Sequence, residues 1–345
     1  MSADASRRAA RAERVDRSAG SAPAAPHRAE AEGRTAPPGG LRKRTTSEGR
    51  DLTRPPSPEP LPIPLYDNHA HLEFEDGIDQ LDPLDSLDRA GAVGVRGVVQ
   101  VGTDLETSRW SAQLAQSDPR VLAAVALHPN EAPKLFAQGC LSAQLSEISR
   151  LAAQPRVRAV GETGLDFFRT GEDGRDAQIE SFETHIEIAK ANGIALQIHD
   201  RDAHDEVVAT LLRVGAPERT VFHCFSGDTR LARICNEHGW YMSFAGTTTF
   251  KNAPALREAL TVARPELVLA ETDAPFLTPE PYRGRPNAPY LLPHTVRRMA
   301  DALDEPLDTL CERIAANTVR VYGSWDPDAA AGARNPEPAA VGDSA

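Results

Sequence analysis

The feature that most constrains the fold is a regular alternation of short apolar runs with longer amphipathic stretches. Each run is rich in Val, Ile, Leu and Ala and ends in polar or charged residues. The eight runs are residues 65–69, 97–101, 122–128, 157–162, 194–199, 220–225, 240–245 and 267–273. Strands that alternate with helices favour parallel βα units, and eight units in about 250 residues are the size of a (β/α)8 TIM-type barrel. An open doubly wound sheet is the alternative.

Two of the stretches between runs carry helical signals. Residues 177–191 and 203–214 are predicted helices, and Gly193 follows the first of them where a helix C-cap belongs. No glycine-rich phosphate loop of the dinucleotide-binding or P-loop type follows any run. Binding of a nucleotide cofactor therefore has no support in the sequence.

Composition separates the predicted barrel from two tails. Residues 1–64 are rich in Ala, Arg, Pro, Ser and Glu, and such a segment cannot bury enough apolar surface to offset the entropy of ordering. We predict a disordered tail at 1–64, of which residues 1 to about 60 make few contacts with the barrel. The barrel domain then spans 65–323, and a second disordered tail spans 324–345. Arg42-Lys43-Arg44 is interpreted as a solvated charge run, with contact to an acidic partner as the alternative.

Net charge restricts the partners that the chain can bind. The 345 residues carry a net charge of −12, which consists of +5 in residues 1–54 and −17 in the remainder. An acidic body cannot hold a long duplex through many phosphate contacts, so a nucleic-acid ligand must be gripped locally. The sequence has no membrane-length apolar run, no secretory signal and no C-x-x-C pair among its four cysteines. We therefore expect a cytoplasmic protein with reduced thiols and no membrane partner, and we take it to be a monomer.

Residue types that bind metals stand at the ends of five of the runs. All strand C-termini of a parallel barrel open on one face, so side chains distant in sequence meet there. In His69-Ala70-His71, the alternation of side chains along a strand places both imidazoles on the same side. The candidate ligands are His69, His71, Glu162, His199, His223 and Asp273. These are more ligands than one tetrahedral ion uses, and they indicate two divalent ions.

Five motifs carry these ligands along the chain. They are residues 65–72 (LYDNHAHL), 161–166 (GETGLD), 198–203 (IHDRDA), 223–227 (HCFSG) and 271–277 (ETDAPFL). In this order they resemble the signatures of the TatD family of metal-dependent deoxyribonucleases. The resemblance covers about 65–323 and neither tail. It implies a distorted barrel of the amidohydrolase superfamily and metal-dependent hydrolysis, with nucleic-acid phosphodiesters as the best-known substrates.

The resemblance also implies a role for each candidate ligand. One metal would be held by His69, His71 and Asp273. The other would be held by His199 and His223, and Glu162 would bridge the two. A water between two divalent ions becomes acidic enough to supply hydroxide near neutral pH, and Asp273 is the candidate general base. Asp273 and Glu162 are thus the predicted catalytic residues, and the metals are zinc, manganese, nickel or magnesium.

Residues outside the ligand set are candidates for binding substrate, because an acidic body needs local cations. Residues 283–289 (RGRPNAP), in the loop after the eighth run, resemble the Arg-Gly-Lys-x-Asn-x-Pro segment of the family. Guanidinium groups form two parallel bonds to phosphate. The predicted substrate contacts are His128, Arg201, Arg283, Arg285 and Asn287.

The predicted function is two-metal hydrolysis of phosphodiester bonds in single-stranded DNA, as a 3′ to 5′ exonuclease. Single-stranded DNA or another nucleic acid is the expected partner. The alternative is an ester or amide hydrolase, such as a D-aminoacyl-tRNA deacylase or a small-molecule amidohydrolase, since two metals and a base also serve attack on a carbonyl. A non-catalytic binding protein that kept the fold is a third hypothesis, and the complete ligand set argues against it.

Overall fold

The computed structural model describes residues 36–39, 41–44 and 49–326. Eight strands pair in parallel in the order in which they occur along the chain. They are β1 (Leu65–Ala70), β2 (Val95–Val101), β3 (Val121–Val125), β4 (Val157–Asp166), β5 (Ala195–Arg201), β6 (Thr220–Phe222), β7 (Tyr241–Phe244) and β8 (Val268–Ala270). Every predicted run therefore contains a strand, and the predicted barrel is confirmed over the open sheet.

The barrel is nearly closed between β1 and the segment that follows β8. The N–H of Asp273 donates to the carbonyl of His69 at 2.9 Å, and the N–H of His71 donates to the carbonyl of Ala274 at 2.7 Å. The side-chain amide of Asn68 donates to the carbonyl of Ala270 at 2.7 Å across the same junction. This junction brings residues from the two ends of the barrel sequence into direct contact.

Helices cover the outside of the barrel. They are α1 (Pro83–Ala92), α2 (Leu105–Ser117), α3 (Ala132–Ala137), α4 (Leu141–Ala152), α5 (Glu172–Asn192), α6 (His204–Val214), α7 (Thr229–His238), α8 (Pro254–Val262), α9 (Leu292–Leu303) and α10 (Leu307–Tyr322). Both predicted helices are confirmed, as α5 and α6. Gly193 ends α5 with φ +59°, the left-handed conformation that glycine adopts without a steric cost.

The strands are buried on both faces, inside the barrel and beneath the helices. Every residue of β1 and of β3 is buried, which explains why the sequence of β3 is a continuous apolar run rather than an alternation. In the described part of the chain, no helix has the length and apolarity needed to cross a membrane. The four cysteines are free thiols, as expected.

The structure corrects the prediction of a disordered tail at 1–64. We call residues 41–44 and 49–64 the N-terminal arm, and both parts contact the barrel. Arg42–Lys43 forms a short strand that pairs in parallel with Phe74–Glu75. The hydroxyl of Tyr290 donates to the carbonyl of Pro55 at 2.6 Å. The prediction of disorder and few contacts is wrong for the arm, because hydrogen bonds and ion pairs attach it where no apolar pattern is present. Residues 1–35, 40 and 45–48 lie outside the described residues.

Trp325 corrects the predicted start of the second tail, because residues 324–326 of the predicted tail 324–345 are part of the described structure. Its ring stacks on Tyr66 with the ring centroids 4.0 Å apart, and its indole N–H donates to the carbonyl of Arg120 at 3.1 Å. One aromatic side chain thus covers the N-terminal ends of the first strands, which composition alone did not indicate. Residues 327–345 lie outside the described residues.

Candidate metal centre

The C-terminal ends of the strands surround one open pocket of about 620 Å³. Of the six predicted ligands, five line the pocket, and fully buried His69 lies directly behind them. The five are His71, Glu162, His199, His223 and Asp273. Residues from five different segments therefore meet at the predicted face of the barrel.

The first group of ligand atoms matches the predicted set of His69, His71 and Asp273. The Nε2 atoms of the two histidines face each other at 3.2 Å. The Oδ1 atom of Asp273 lies 3.7 Å from Nε2 of His69 and 3.6 Å from Nε2 of His71. Two imidazole nitrogens at this separation need a shared proton or a cation between them, so the group fits a metal ion.

The two oxygens of Glu162 face different histidines. Oε2 lies 2.8 Å from Nε2 of His223 and 3.3 Å from Nδ1 of His199, whereas Oε1 lies 3.6 Å from Nε2 of His71. Burial opposes ionisation of Glu162, but the histidines around it hold the pKa of its carboxyl well below the ordinary value. An ionised carboxylate between two sets of imidazoles can contribute a ligand oxygen to a cation on each side.

Glycine at position 164 allows this approach of β4 to β5. Gly164 has φ +136°, and a Cβ atom there would collide with the carbonyl oxygen of His199. The motif GETGLD therefore combines a ligand, Glu162, with the glycine that lets the next ligand-bearing strand lie against it.

Carboxylates behind the candidate ligands determine the orientation of two of the histidine side chains. Nδ1 of His223 hydrogen-bonds Oε1 of Glu271 at 3.1 Å, and Nε2 of His199 lies 3.3 Å from Oδ2 of Asp166. In each ring the other nitrogen faces Glu162, which is the usual arrangement behind metal-binding histidines. Sequence reasoning missed Glu271 and Asp166, although both belong to the motifs and stand close to predicted ligands.

Two buried side chains hold the loop that carries Asp273. Asp67 accepts a hydrogen bond from the N–H of Thr272 at 2.9 Å and one from its hydroxyl at 2.5 Å. Burial raises the pKa of Asp67 to about 8, against the effect of these hydrogen bonds. Asn287 donates to the carbonyl of Thr272 at 3.0 Å. Asn287 is 3% exposed, so it positions this loop instead of contacting substrate as predicted.

Two of the predicted substrate contacts line the pocket. Nε2 of His128 lies 3.9 Å from Oε1 of Glu162, and burial lowers the pKa of His128 to about 3. His128 also forms a possible ligand group with Glu162 and His199. The guanidinium of Arg201 stacks on Phe168, 3.9 Å from the ring centroid, and Phe168 is 62% exposed. Sequence reasoning missed Phe168.

The predicted phosphate contacts Arg283 and Arg285 do not belong to the lining of this pocket. Arg285 donates to the carbonyls of Thr53 and Arg54 in the arm, at 2.8 and 3.0 Å. The guanidinium of Arg283 stacks on Phe250, 4.1 Å from the ring centroid. Arg285 thus fastens the arm, which was expected to make few contacts, and the phosphate clamp at this loop stays a prediction.

A parallel eight-stranded barrel with four histidines and two carboxylates gathered at its C-terminal strand ends defines the class of barrel hydrolases that depend on divalent metals. The model of one such family, described as TatD related DNase, matches residues 66–323. The chain belongs to the TatD family and is a metal-dependent hydrolase.

Curated relatives cover nearly the same region. An uncharacterized metal-dependent hydrolase TatD from Mycobacterium tuberculosis is 44% identical over 263 residues, which are 75% of this chain and 98% of that protein. A 3′-5′ ssDNA/RNA exonuclease TatD from Citrobacter rodentium is 34% identical over 238 residues, which are 67% of this chain and 88% of that protein.

Solved structures show the same architecture. The crystal structure of YJJV, a TatD homologue from Escherichia coli K12, has a TM-score of 0.66 and 26% identity, and covers 75% of this chain and 98% of that chain. The TatD family hydrolase from Entamoeba histolytica has a TM-score of 0.66 at 16% identity, covers 76% of this chain and 100% of that chain, and supports the fold alone.

Proposed function

We propose that this protein is a binuclear metal-dependent nuclease that removes nucleotides from the 3′ end of single-stranded nucleic acid. The observation that carries the proposal is the position of Glu162, whose oxygens face His71 on one side and His199 and His223 on the other. Two divalent ions a few ångströms apart are a common device of phosphodiester hydrolysis.

Each ion has a set of side chains that would hold it. One set is His69, His71 and Asp273. The other is His199 and His223, with Glu162 shared by both. Divalent ions held there would stabilise charge on a phosphoryl group and lower the pKa of water. Among zinc, manganese, nickel and magnesium, the imidazoles favour the first three, whereas magnesium commonly supports phosphodiester chemistry.

Asp273 is the residue that we propose as general base. Its side chain lines the pocket and is 13% exposed, so a carboxylate oxygen can accept a proton from a water beside the first ligand group. The backbone of Asp273 has φ +52°, a conformation that is costly for residues other than glycine. The hydrogen bonds that the neighbouring Thr272 donates to Asp67 hold the segment in this conformation.

The surroundings of the pocket support a single-stranded polyanion as substrate. Four cationic side chains line it: Arg42, Lys134, Arg169 and Arg201. Exposed Phe168, stacked on Arg201, offers a flat surface to a nucleobase, and such stacking platforms are typical of proteins that bind single strands. The Citrobacter relative named as a 3′-5′ ssDNA/RNA exonuclease points to the same substrate class. The cytoplasmic location and the monomeric state remain predictions from the sequence.

The test is a product assay on metal-free protein supplied with magnesium, manganese, zinc or nickel in turn. The substrates are single-stranded DNA labelled at the 5′ end or at the 3′ end, the matching RNA, and a D-aminoacyl-tRNA. We expect a descending ladder from the 5′-labelled strand and immediate release of a labelled mononucleotide from the 3′-labelled strand. A His223→Ala preparation, purified identically, controls for contaminating nucleases. Cleavage of the aminoacyl ester without phosphodiester cleavage would replace this proposal with the deacylase alternative.

A further inference from the structure

The N-terminal arm reaches the rim of the candidate metal centre. It precedes residues 66–323, which match the family model. Its strand Arg42–Lys43 pairs with Phe74–Glu75, which begins three residues after His71. The N–H of Arg42 donates to the carbonyl of Glu73 at 2.8 Å. The arm therefore adds a wall directly beside the segment that carries the candidate ligands His69 and His71.

Arg42 is the part of the arm that faces the pocket. It belongs to the same lining as His71, Glu162 and Asp273, and its side chain is 32% exposed. Its Nη2 atom lies 2.6 Å from Oδ2 of Asp104, another residue of the lining. The arm thus neutralises a carboxylate that would otherwise repel a polyanion. A guanidinium has five donors, so Arg42 can bind Asp104 and a phosphate together.

An ion-pair cluster fixes the arm in this position. Asp76, whose side chain is 1% exposed, accepts from both terminal nitrogens of Arg50 at 2.6 and 2.7 Å and from Arg44 at 3.0 Å. Arg44 also donates to the carbonyl of Pro275 at 2.7 Å and stacks on Phe276, 4.6 Å from the ring centroid. Pro275 and Phe276 lie two and three residues after Asp273, so the arm contacts the loops after both β1 and β8. Because the arm is held in this way, the guanidinium of Arg42 loses little entropy on binding a ligand.

We propose that the arm is part of the substrate-binding surface, in which Arg42 contacts a phosphate of a single-stranded nucleic acid beyond the phosphodiester at the metal centre. This inference rests on the proposed function. Outside residues 1–54 the chain has a net charge of −17, so a strand that leaves the metal centre meets an acidic body. A cation at the rim compensates this repulsion for the phosphates of a strand but not for a small substrate confined to the centre.

The first test compares two substrates in the full-length Arg42→Ala protein with saturating divalent metal. The readout is the ratio of kcat/KM for a 15-nucleotide single strand to kcat/KM for bis(p-nitrophenyl) phosphate. We expect this ratio to fall about five- to tenfold through a higher KM for the strand, because one charge-assisted contact is lost. The slope of log KM against log salt should fall by about 0.7, the value for one phosphate contact to a single strand. The matched control is Arg109→Ala, which removes an exposed arginine paired with Glu147 on the outer helices and should leave the ratio unchanged.

A second variant separates binding of phosphate from attachment of the arm. Asp104→Asn removes the charge that Arg42 neutralises, and asparagine can still cap α2 through its side-chain oxygen. We expect KM for the strand to fall in Asp104→Asn and to rise in Arg42→Ala. If Arg42 only fastens the arm, both substitutions loosen it and shift KM in the same direction, which would overturn the inference.

The outcomes distinguish this inference from the proposed function. Cleavage of the strand by the wild-type protein, with an unchanged ratio in Arg42→Ala, overturns the role of the arm alone. A wild-type protein that neither binds nor cleaves the strand with any of the four metals overturns the proposed function and the inference with it.

Discussion

The carboxylate of Glu271 holds Nδ1 of His223 at 3.1 Å and thereby determines that Nε2 of the same ring faces Glu162. The same oxygen of Glu271 accepts the N–H of Cys224 at 2.7 Å, so it acts as an acceptor and the proton of the imidazole lies on Nδ1. The lone pair of Nε2 would then be available to a metal ion in the pocket. Glu271 is therefore a positioning residue for a candidate ligand.

Replacing Glu271 with Gln should weaken metal binding about 10- to 100-fold, the usual effect of losing the partner behind a ligating histidine. The amide can present its NH2 group to Nδ1, which favours the wrong tautomer of His223. Calorimetric titration of metal-free protein with zinc and manganese measures the effect. Glu266→Gln, at an exposed carboxylate paired with Arg264, is the control. Equal affinities in the two variants would argue against orientation by Glu271.

Replacing Glu162 with Gln should lower turnover by several orders of magnitude and leave the fold intact. The substitution hardly changes side-chain volume, but it removes the charge that faces His71 and His223. Steady-state kinetics at saturating metal measures the change, with circular dichroism to confirm folding. The control is Glu187→Gln on the exposed face of α5. Near-normal turnover would exclude Glu162 as a shared ligand.

Removing metal should lower the thermal stability of the protein as well as abolish its activity. Ligand side chains that are buried together repel one another or lack partners when no cation is present. A metal at a concentration of 100 times its Kd stabilises the folded state by about 2.7 kcal/mol. Calorimetry before chelation, after chelation and after readdition measures the shift in Tm. A Tm that chelation does not change would mean that the cluster holds no ion.

Replacing Asp76 with Asn should release the N-terminal arm. The substitution leaves the guanidinium groups of Arg44 and Arg50 without their carboxylate, which costs about 3 kcal/mol when such a pair is buried. We expect faster tryptic cleavage after Arg50, and mass spectrometry of the digest measures its rate. Asp205→Asn is the control, because that carboxylate is 81% exposed and pairs with Arg230, outside the arm.

The attachment of the arm should also depend on pH. Burial disfavours ionisation of Asp76, but Arg50 and Arg44 outweigh it and keep the pKa of Asp76 below its ordinary value. The stabilisation is therefore complete above the ordinary carboxyl pKa and is lost as the pH falls through the lowered pKa of the folded protein. Amide hydrogen exchange of residues 49–64, measured over a series of acidic pH values, would show this loss as faster exchange. Exchange protection that does not change below pH 3 would contradict this account.

Replacing Phe168 with Ala should raise KM for single-stranded oligonucleotides by about fivefold or more, since base stacking on an aromatic ring contributes about 1–3 kcal/mol. The effect should disappear with a small phosphodiester that carries no base. Phe136→Ala, which removes another exposed phenylalanine, is the control. Equal KM values for the three proteins would show that Phe168 does not bind a base.

The architecture and most of the candidate ligands could be predicted from local patterns. Eight apolar runs separated by amphipathic stretches favour parallel βα units, and such units in a barrel place all strand C-termini on one face. The His69-x-His71 spacing follows from the period of two in a strand. These relationships depend only on neighbouring residues and on the topology of the barrel, which is why they can be read along the chain.

Contacts between distant segments decided the rest. No spacing in the sequence indicates that Glu271 and Asp166 orient His223 and His199, because each pair forms only when separate strands pack side by side. The arm was predicted to be disordered because it lacks apolar periodicity, yet Asp76 binds two of its arginines, and such ion pairs leave no periodic signal. Arg285 was assigned to substrate on its motif, but nothing in the motif indicated that it binds the arm, a partner that only the folded chain brings near. The sequence by itself determined the parallel βα units and the residues at their strand ends, whereas only the tertiary structure decided that the units close into a barrel, which side chains meet there and which charges the arm places beside them.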